Sequence, residues 1–146
     1  MPRKIELMNH NVRFMDGILK VICKNIRRDS AQLSQIYDEC LRSGLCYSKK
    51  HFKIQAITIN ELLSIFNSRF EVIFKNSRKD CVPYSLALHI LLYCFGFDSV
   101  LYIGIDRFPF SAHAWVEDLE GNVLSCSDHL CKNRRIVFEK RLIKNG

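Results

Sequence analysis

The chain lacks any apolar run long enough to cross a membrane as a helix. Such a helix needs about 20 apolar residues, and no run of that length occurs among the 146 residues. The N-terminal segment also lacks the apolar core of a secretory signal peptide, since it reads Met1-Pro2-Arg3-Lys4-Ile5-Glu6-Leu7. We therefore expect no membrane partner and a cytoplasmic location.

The chain also lacks a CxxC motif and any cysteine and histidine set with the spacing of a zinc finger. Its cysteine count is odd, and a disulfide framework is not expected in the cytoplasm. We predict no metal site and interpret most cysteines as small apolar side chains of the core. The seven cysteines are Cys23, Cys40, Cys46, Cys81, Cys94, Cys126 and Cys131.

Two further absences concern nucleotides and nucleic acids. No GxxxxGK[ST] phosphate-binding loop is present, so the sequence offers no nucleotide cofactor site. The formal net charge of +7 permits nucleic acid, an acidic peptide or an acidic protein as a partner. The basic residues are scattered in pairs such as Arg27-Arg28 and Lys49-Lys50, without the interleaved aromatic side chains of single-strand binders. We predict a solvated basic surface or a docking field, and no nucleic-acid partner.

Three helices are predicted in the first half of the chain from apolar residues at helical spacing and from capping signals. They cover residues 11 to 27, a segment from a cap at Asp29 or Ser30 to about Arg42, and a segment that begins at the capping box Thr58-Ile59-Asn60-Glu61. Gly44 is expected to stop the second helix, and residues 45 to 57 are predicted to be a connection.

The second half begins with a helix that is apolar on nearly all sides, which predicts a central, buried position. It is expected to begin near Cys81, with Pro83 in its first turn, and to end at Gly96. Strands are predicted at residues 99 to 105, 112 to 117, 122 to about 127, and 136 to 138. This order predicts an α+β fold with an antiparallel sheet. We expect one domain over residues 1–146, with a helical part over 1–75 and a catalytic core over 76–146.

Cys81 has two chemical advantages at the start of this helix. The positive end of the helix dipole stabilises a thiolate over a thiol. The N–H groups of the first turn lack acceptors within the helix, and they are suited to stabilise an oxyanion on a carbonyl under attack. These effects make Cys81 a candidate nucleophile. The alternative is a thiol that packs under the helix start.

His113 is the candidate general base, because it lies on the strand Ala112-His113-Ala114-Trp115-Val116-Glu117 that follows the helix. One ring nitrogen would take the thiol proton, and the other would need an acceptor that orients the ring. The alternative is a structural histidine. The remaining polar candidates are interpreted as structural: Ser85, His89, His10, His51 and His129.

The predicted hairpin suggests which carboxylate orients His113. A two-residue turn would pair Val123 with Glu120, and a four-residue turn would pair it with Asp118. Either register places Asp128 on the same sheet face as His113, because side chains alternate along a strand. Asp128 is therefore the candidate third catalytic residue, and the alternative is a turn or cap residue. A longer loop or a bulge would remove this support.

An ordered set of short segments runs through this region. The segments are Asp80-Cys81, Ser85-Leu86-Ala87-Leu88, Leu91-Leu92, Gly96, Ile103-Gly104-Ile105, Pro109-Phe110, His113-Ala114-Trp115-Val116-Glu117 and Gly121-Asn122-Val123-Leu124. Together they resemble the lasso-peptide leader peptidases, a branch of the transglutaminase-like cysteine-protease superfamily. The resemblance covers roughly 45 of the 146 residues.

The resemblance implies a transglutaminase-like or papain-like core and a specific reaction. Such enzymes cut the leader from a ribosomally made precursor peptide, and a cyclase similar to asparagine synthetases then closes a macrolactam. By position, Cys81 is the nucleophile and His113 the general base, and the family order of Cys, His and Asp agrees with Asp128 as the third residue. Any dependence on ATP is expected to come through the partner cyclase.

Two features depart from the family pattern. The family's third residue is an Asp soon after the second hairpin strand begins, where Ser125 and Cys126 align here, so Asp128 lies a couple of residues late. Fused members carry an N-terminal winged-helix domain that recognises the leader, whereas residues 1 to 75 are predicted to be helices. The chain therefore resembles the stand-alone peptidase half of a split system, which implies a separate small leader-recognition protein as a partner.

Two other functions fit the same residues. A transglutaminase-like acyltransferase would use Cys81 and His113 but pass the acyl group to an amine instead of water. A catalytically inactive peptide-binding module would keep the fold without a complete set of catalytic residues, and the displaced position of Asp128 favours this alternative.

Overall fold

The computed structural model describes six stretches of the chain: residues 4–26, 32–51, 56–75, 80–107, 110–125 and 134–144. The chain divides into two compact units, Met1–Arg78 and Lys79–Gly146. Each unit is described by itself, and the single domain over residues 1–146 stays a prediction.

The first unit contains three helices. They are α1 (Lys4–Ile26), α2 (Leu33–Lys50) and α3 (Ile59–Phe74). Helix α1 packs against both α2 and α3. Its buried apolar residues recur every three or four positions, as one face of an amphipathic helix requires: Phe14, Met15, Ile18, Leu19 and Ile22. The predicted first helix is thus present, but it begins at Lys4, seven residues before the predicted start at residue 11.

Helix α3 begins at the predicted capping box. The Thr58 hydroxyl accepts a hydrogen bond from the Glu61 backbone N–H at 3.2 Å, and its oxygen lies 3.0 Å from the Glu61 carboxylate. The helix then buries a row of side chains four residues apart: Leu62, Phe66, Phe70 and Phe74. Helix α3 is tied to α1 by a bidentate pair in which two nitrogens of Arg69 each lie 2.7 Å from an oxygen of Asp16.

The predicted end of α2 is wrong. The helix continues through Gly44, which is buried inside it, and reaches Lys50. The predicted connection from residue 45 is therefore wrong as far as residue 50. A glycine inside a helix costs only about 1 kcal/mol relative to alanine, so the packing of later residues such as Tyr47 outweighs it. Gln32 occupies the N-cap position but makes no capping hydrogen bond with its side chain, and the predicted caps Asp29 and Ser30 lie outside the described residues.

The second unit packs one helix on an antiparallel sheet. Helix α4 (Cys81–Cys94) is followed by β1 (Ser99–Arg107), β2 (Phe110–Glu117) and β3 (Arg135–Leu142), and the strand order is β2-β1-β3. Helix α4 contacts β1 and β2 and ends before Gly96, whose φ of 92° suits a glycine. The α+β class, the buried central helix and the antiparallel sheet are confirmed.

The predicted hairpin register after β2 is wrong. Glu117, and not Asp118 or Glu120, pairs with Val123, so the loop spans residues 118 to 122. The Asp118 carboxylate sets this length, because it accepts the backbone N–H groups of Glu120 and Asn122 at 3.0 and 2.9 Å. The predicted strand from residue 122 is reduced, over residues 122–125, to this single bridge.

None of the helices, over the residues that the structure describes, is long and apolar enough to span a membrane.

Candidate active site

Two side chains of helix α4 form hydrogen bonds with the same residue of the edge strand β2, Ala114. The Ala114 backbone N–H donates to the Cys81 sulfur at 3.3 Å, and the Ser85 hydroxyl donates to the Ala114 carbonyl oxygen at 3.1 Å. Cys81 and Ser85 are one helical turn apart and therefore lie on the same face of α4. The two contacts fix both the position and the rotation of the first turn.

These contacts lie along the free edge of strand β2, on the side away from β1. Strand β2 is an edge strand with β1 as its partner. Both backbone groups of Ala114 bond to α4 instead of β1, so they point outward. Farther along the same edge, Val116 donates its N–H to the Ser125 hydroxyl at 2.8 Å and accepts from the Leu124 N–H at 2.8 Å. The edge is thus covered by the start of α4 and by the segment after the loop.

The strand places the backbone of His113 beside the thiol, and the pairing of the His113 ring with Cys81 as base and nucleophile stays a prediction. The peptide unit whose N–H contacts the Cys81 sulfur is the one that joins His113 to Ala114. Cys81 and His113 are both partly exposed, so both are open to solvent. The structure therefore places the Cys81 sulfur beside the backbone N–H of Ala114, which is the residue after His113 on β2.

The His113 ring belongs to a row of aromatic rings on one face of the sheet. It stacks on Trp115, with ring centroids 6.2 Å apart, and Trp115 stacks on Tyr102 at 5.5 Å. Trp115 is 3% exposed, and its indole N–H donates to the Glu117 carboxylate at 2.7 Å. Trp115 is thus a core residue that holds the imidazole from the side.

Gly104 makes room for this arrangement. It lies directly across from His113 on β1, and an added Cβ would lie 3.0 Å from the Trp115 ring and 2.8 Å from the Cβ of Arg134. Both distances are too short for ordinary contact. The glycine is needed because Trp115 and Arg134 approach the β1 backbone closely at this point.

Arg134 contributes the positive charge that acts on the His113 ring. Its guanidinium lies 3.1 Å from the Asp106 carboxylate and donates to the Ser111 hydroxyl at 3.1 Å, and its side chain is only 15% exposed. Burial lowers the pKa of His113, and the positive charge of Arg134 lowers that pKa further. His113 is therefore held as the neutral imidazole that a general base requires.

Donors for an oxyanion are available at the start of α4. The first three helical residues are Cys81, Val82 and Pro83. Proline has no N–H, and the helix itself offers no acceptor to the N–H groups of the other two. The backbone of Cys81 and Val82 is thus suited to bind a developing negative charge close to the sulfur.

Asp128, the predicted orienter of His113, lies outside the described residues, so its role stays a prediction. The observed pairing of Glu117 with Val123 changes the alternation by one residue and removes the register argument that favoured Asp128. Among the residues that are described, no group of three metal-ligating side chains comes together.

Ser85 was interpreted as structural, and its buried hydrogen bond to the Ala114 carbonyl agrees with that interpretation. Sequence reasoning missed Arg134, because its approach to His113 depends on how β3 pairs with β1. That pairing contains an irregularity between Ile103 and Gly104, which sequence periodicity does not reveal.

Comparison with protein families places the chain in a known superfamily. The model described as the transglutaminase-like superfamily matches residues 33–136, which is more than half of the chain. No curated protein and no solved structure matches the chain.

Replacing Ser85 should disturb both stability and the thiol. We expect Ser85→Ala to lower the free energy of unfolding by about 1–3 kcal/mol, because it leaves the buried Ala114 carbonyl without its donor. It should also change the rate at which iodoacetamide alkylates Cys81. Urea unfolding and mass spectrometry measure the two effects, with the exposed Ser64→Ala as control. Equal, small effects of both variants would contradict the attachment described above.

Replacing Arg134 should change the charge state of His113. We expect Arg134→Gln to raise the pKa of His113, because the variant removes a positive charge that disfavours the imidazolium. If His113 is the base, the acidic limb of the activity profile should move to higher pH. NMR titration of the ring gives the pKa directly. The control is Arg135→Gln, the same charge change at an exposed neighbour, and an equal rise there would refute the assignment to Arg134.

Proposed function

Because the chain belongs to the transglutaminase-like superfamily, we propose that it is a cysteine endopeptidase that removes the leader from a ribosomally made lasso-peptide precursor. The superfamily includes cysteine proteases. The observation that carries the proposal is the contact between the Cys81 sulfur and the peptide unit of His113 and Ala114 at 3.3 Å. The specific substrate rests on the ordered segments between Asp80 and Leu124 that resemble the leader peptidases.

In the first half of the reaction, His113 takes the proton of the Cys81 thiol as the sulfur attacks the carbonyl carbon of the scissile bond. The N–H groups of Cys81 and Val82 stabilise the oxyanion. The C–N bond then breaks, and the imidazolium gives its proton to the departing amine. The leader remains attached to Cys81 as a thioester, and the core peptide leaves with a free N-terminus.

In the second half, His113 removes a proton from water, and the resulting hydroxide attacks the thioester. Collapse of the intermediate releases the leader with a new carboxylate, and the proton returns to the sulfur. An amine in place of water would give an acyltransferase with the same residues. The two reactions therefore differ in what reaches the thioester and not in the catalytic pair.

The proposed partners follow from the same resemblance. The substrate is the leader part of the precursor, a separate small recognition protein delivers it, and an asparagine-synthetase-like cyclase uses the freed amine. In the described part of Met1–Arg78 all regular structure is helical, which is why we propose that a separate protein recognises the leader. ATP would act through the cyclase.

The decisive experiment is mass spectrometry of the precursor peptide after incubation with this protein, with and without the recognition protein. We expect one cut that leaves a free carboxylate on the leader and depends on the recognition protein. Cys81→Ala should abolish the cut, because alanine keeps the helix start but has no nucleophile. Cys94→Ala, at the other end of the same helix, is the control and should still cut.

Other products would point elsewhere. A leader joined to an added amine, with little free acid, would favour the acyltransferase. No cut and no amine product in any combination, together with retained peptide binding, would favour the inactive binding module.

Asp128 is tested separately. If its carboxylate orients His113, Asp128→Asn should slow cleavage by about a hundredfold or more, as loss of an orienting carboxylate does in catalytic triads, while binding of the precursor is unchanged. The measurement is kcat and KM for the precursor, with Glu120→Gln, the same loss of charge at an exposed side chain of the preceding loop, as control. Near-normal kcat in Asp128→Asn would exclude it as the third catalytic residue.

A further inference from the structure

The first unit contains an open cavity that the proposed reaction does not use. It lies between α1 and α2, has a volume of about 570 Å³, and is lined by residues between Val21 and Asn25 on α1 and between Arg42 and His51 on α2. The Tyr47 ring forms part of its wall and stacks on His51, with centroids 4.2 Å apart. Gly17 permits this position of Tyr47, because a Cβ there would overlap the tyrosine ring.

The charges that line this cavity have one sign. Lys24, Arg42 and Lys50 contribute cationic side chains, and no carboxylate among the described residues lines it. Over the described residues, none of these three forms an ion pair, in contrast to Arg69, which binds Asp16 at 2.7 Å. The amide of Asn25 donates to the Val21 carbonyl and the Ser43 hydroxyl, so it is already used within the unit.

A second basic recess adjoins the first on the other side of α1. It has a volume of about 370 Å³ and is lined by Lys20, Lys24 and Lys75, together with two apolar or weakly polar side chains. Lys24 belongs to both recesses. The positive potential therefore extends across the end of α1 and is not confined to one side chain.

We propose that the cavity between α1 and α2 is a docking site for an acidic peptide segment of another protein. Carboxylates of the segment would pair with Lys24, Arg42 and Lys50, and an apolar side chain would pack against Val21 and Tyr47. A single-stranded nucleic acid fits less well, because it needs an extended basic track with exposed aromatic faces, whereas here the cations surround one cavity. The proposal rests on these charges and not on the peptidase assignment.

Such a site would have a use in any enzyme that acts on polypeptides. When one segment of a polypeptide is bound at this cavity, the rest of that polypeptide is held close to the chain that carries the Cys81 thiol. Its effective concentration for reaction with the thiol is therefore raised. The thiol could then be selective with few contacts to the residues around the scissile bond.

The test is fluorescence anisotropy with a labelled peptide of alternating glutamate and leucine, at low ionic strength, on the full chain. We expect Arg42→Glu and Lys50→Glu each to weaken binding about fivefold or more, as the loss of one ion pair would. Lys49→Glu is the matched control, because Lys49 is the exposed neighbour of Lys50 on the same helix and does not line the cavity. It should bind nearly as the wild type does. Circular dichroism verifies that each variant is folded.

Three results would overturn the proposal. Equal weakening by Lys49→Glu would show attraction to net charge alone. Equal binding of a matched peptide with glutamine in place of glutamate would exclude recognition of carboxylates. A single-stranded RNA that displaces the acidic peptide, binds more tightly and depends on Arg42 and Lys50 would make the cavity a nucleic-acid site. Because the readout is binding, failure of the cleavage experiment would leave this test unaffected.

Discussion

The hydrogen bond from the Ser85 hydroxyl to the Ala114 carbonyl is the interaction on which the candidate site depends. Helix α4 is apolar on nearly all sides, so burial alone does not determine its rotation about its own axis. Its two buried polar side chains, Ser85 and His89, are one turn apart, and each finds a partner on a strand. His89 lies 2.8 Å from the Ser99 hydroxyl, and burial lowers its pKa to about 3.

A different rotation of α4 would leave both groups buried without partners, at a cost of about 1–3 kcal/mol each. Cys81 lies one turn before Ser85 on the same face, so the rotation that satisfies the two polar side chains also brings the sulfur to Ala114. The position of the candidate nucleophile is thus a consequence of the hydrogen bonds that Ser85 and His89 make in the core. It does not depend on a contact that serves catalysis alone.

Local signals predicted the elements well where one physical effect dominates. The capping box at Thr58 and the apolar helix that begins at Cys81 were predictable because caps and periodicity act within a few residues. Gly44 was wrongly predicted to end α2, because the packing of the residues that follow it outweighs the local preference of glycine for a helix end. That packing is not visible in the local sequence. The hairpin register was wrong for a different reason: the Asp118 side chain closes a longer loop, so that Val123 pairs with Glu117.

The sequence suggests a candidate pair of residues but not the groups that surround them. Cys81 and His113 stand out because their residue types and elements suggest a reaction. The groups that tune them do not stand out, since Arg134 reaches His113 only through the irregular pairing of β1 with β3 at Gly104. Residues that act through tertiary register leave no periodic trace in a single sequence.

The lowered pKa of His113 affects the two proton transfers of the proposed reaction in opposite directions. Burial and Arg134 favour the neutral imidazole, which is free to accept the thiol proton, but they also make it a weaker base for that proton. The same two effects make the imidazolium, once formed, a stronger acid, which favours transfer of the proton to the departing amine. A carboxylate beside the ring would oppose Arg134 and stabilise the imidazolium. The balance between these opposite charges, and not the presence of the cysteine and histidine alone, would set the rate of each half of the reaction.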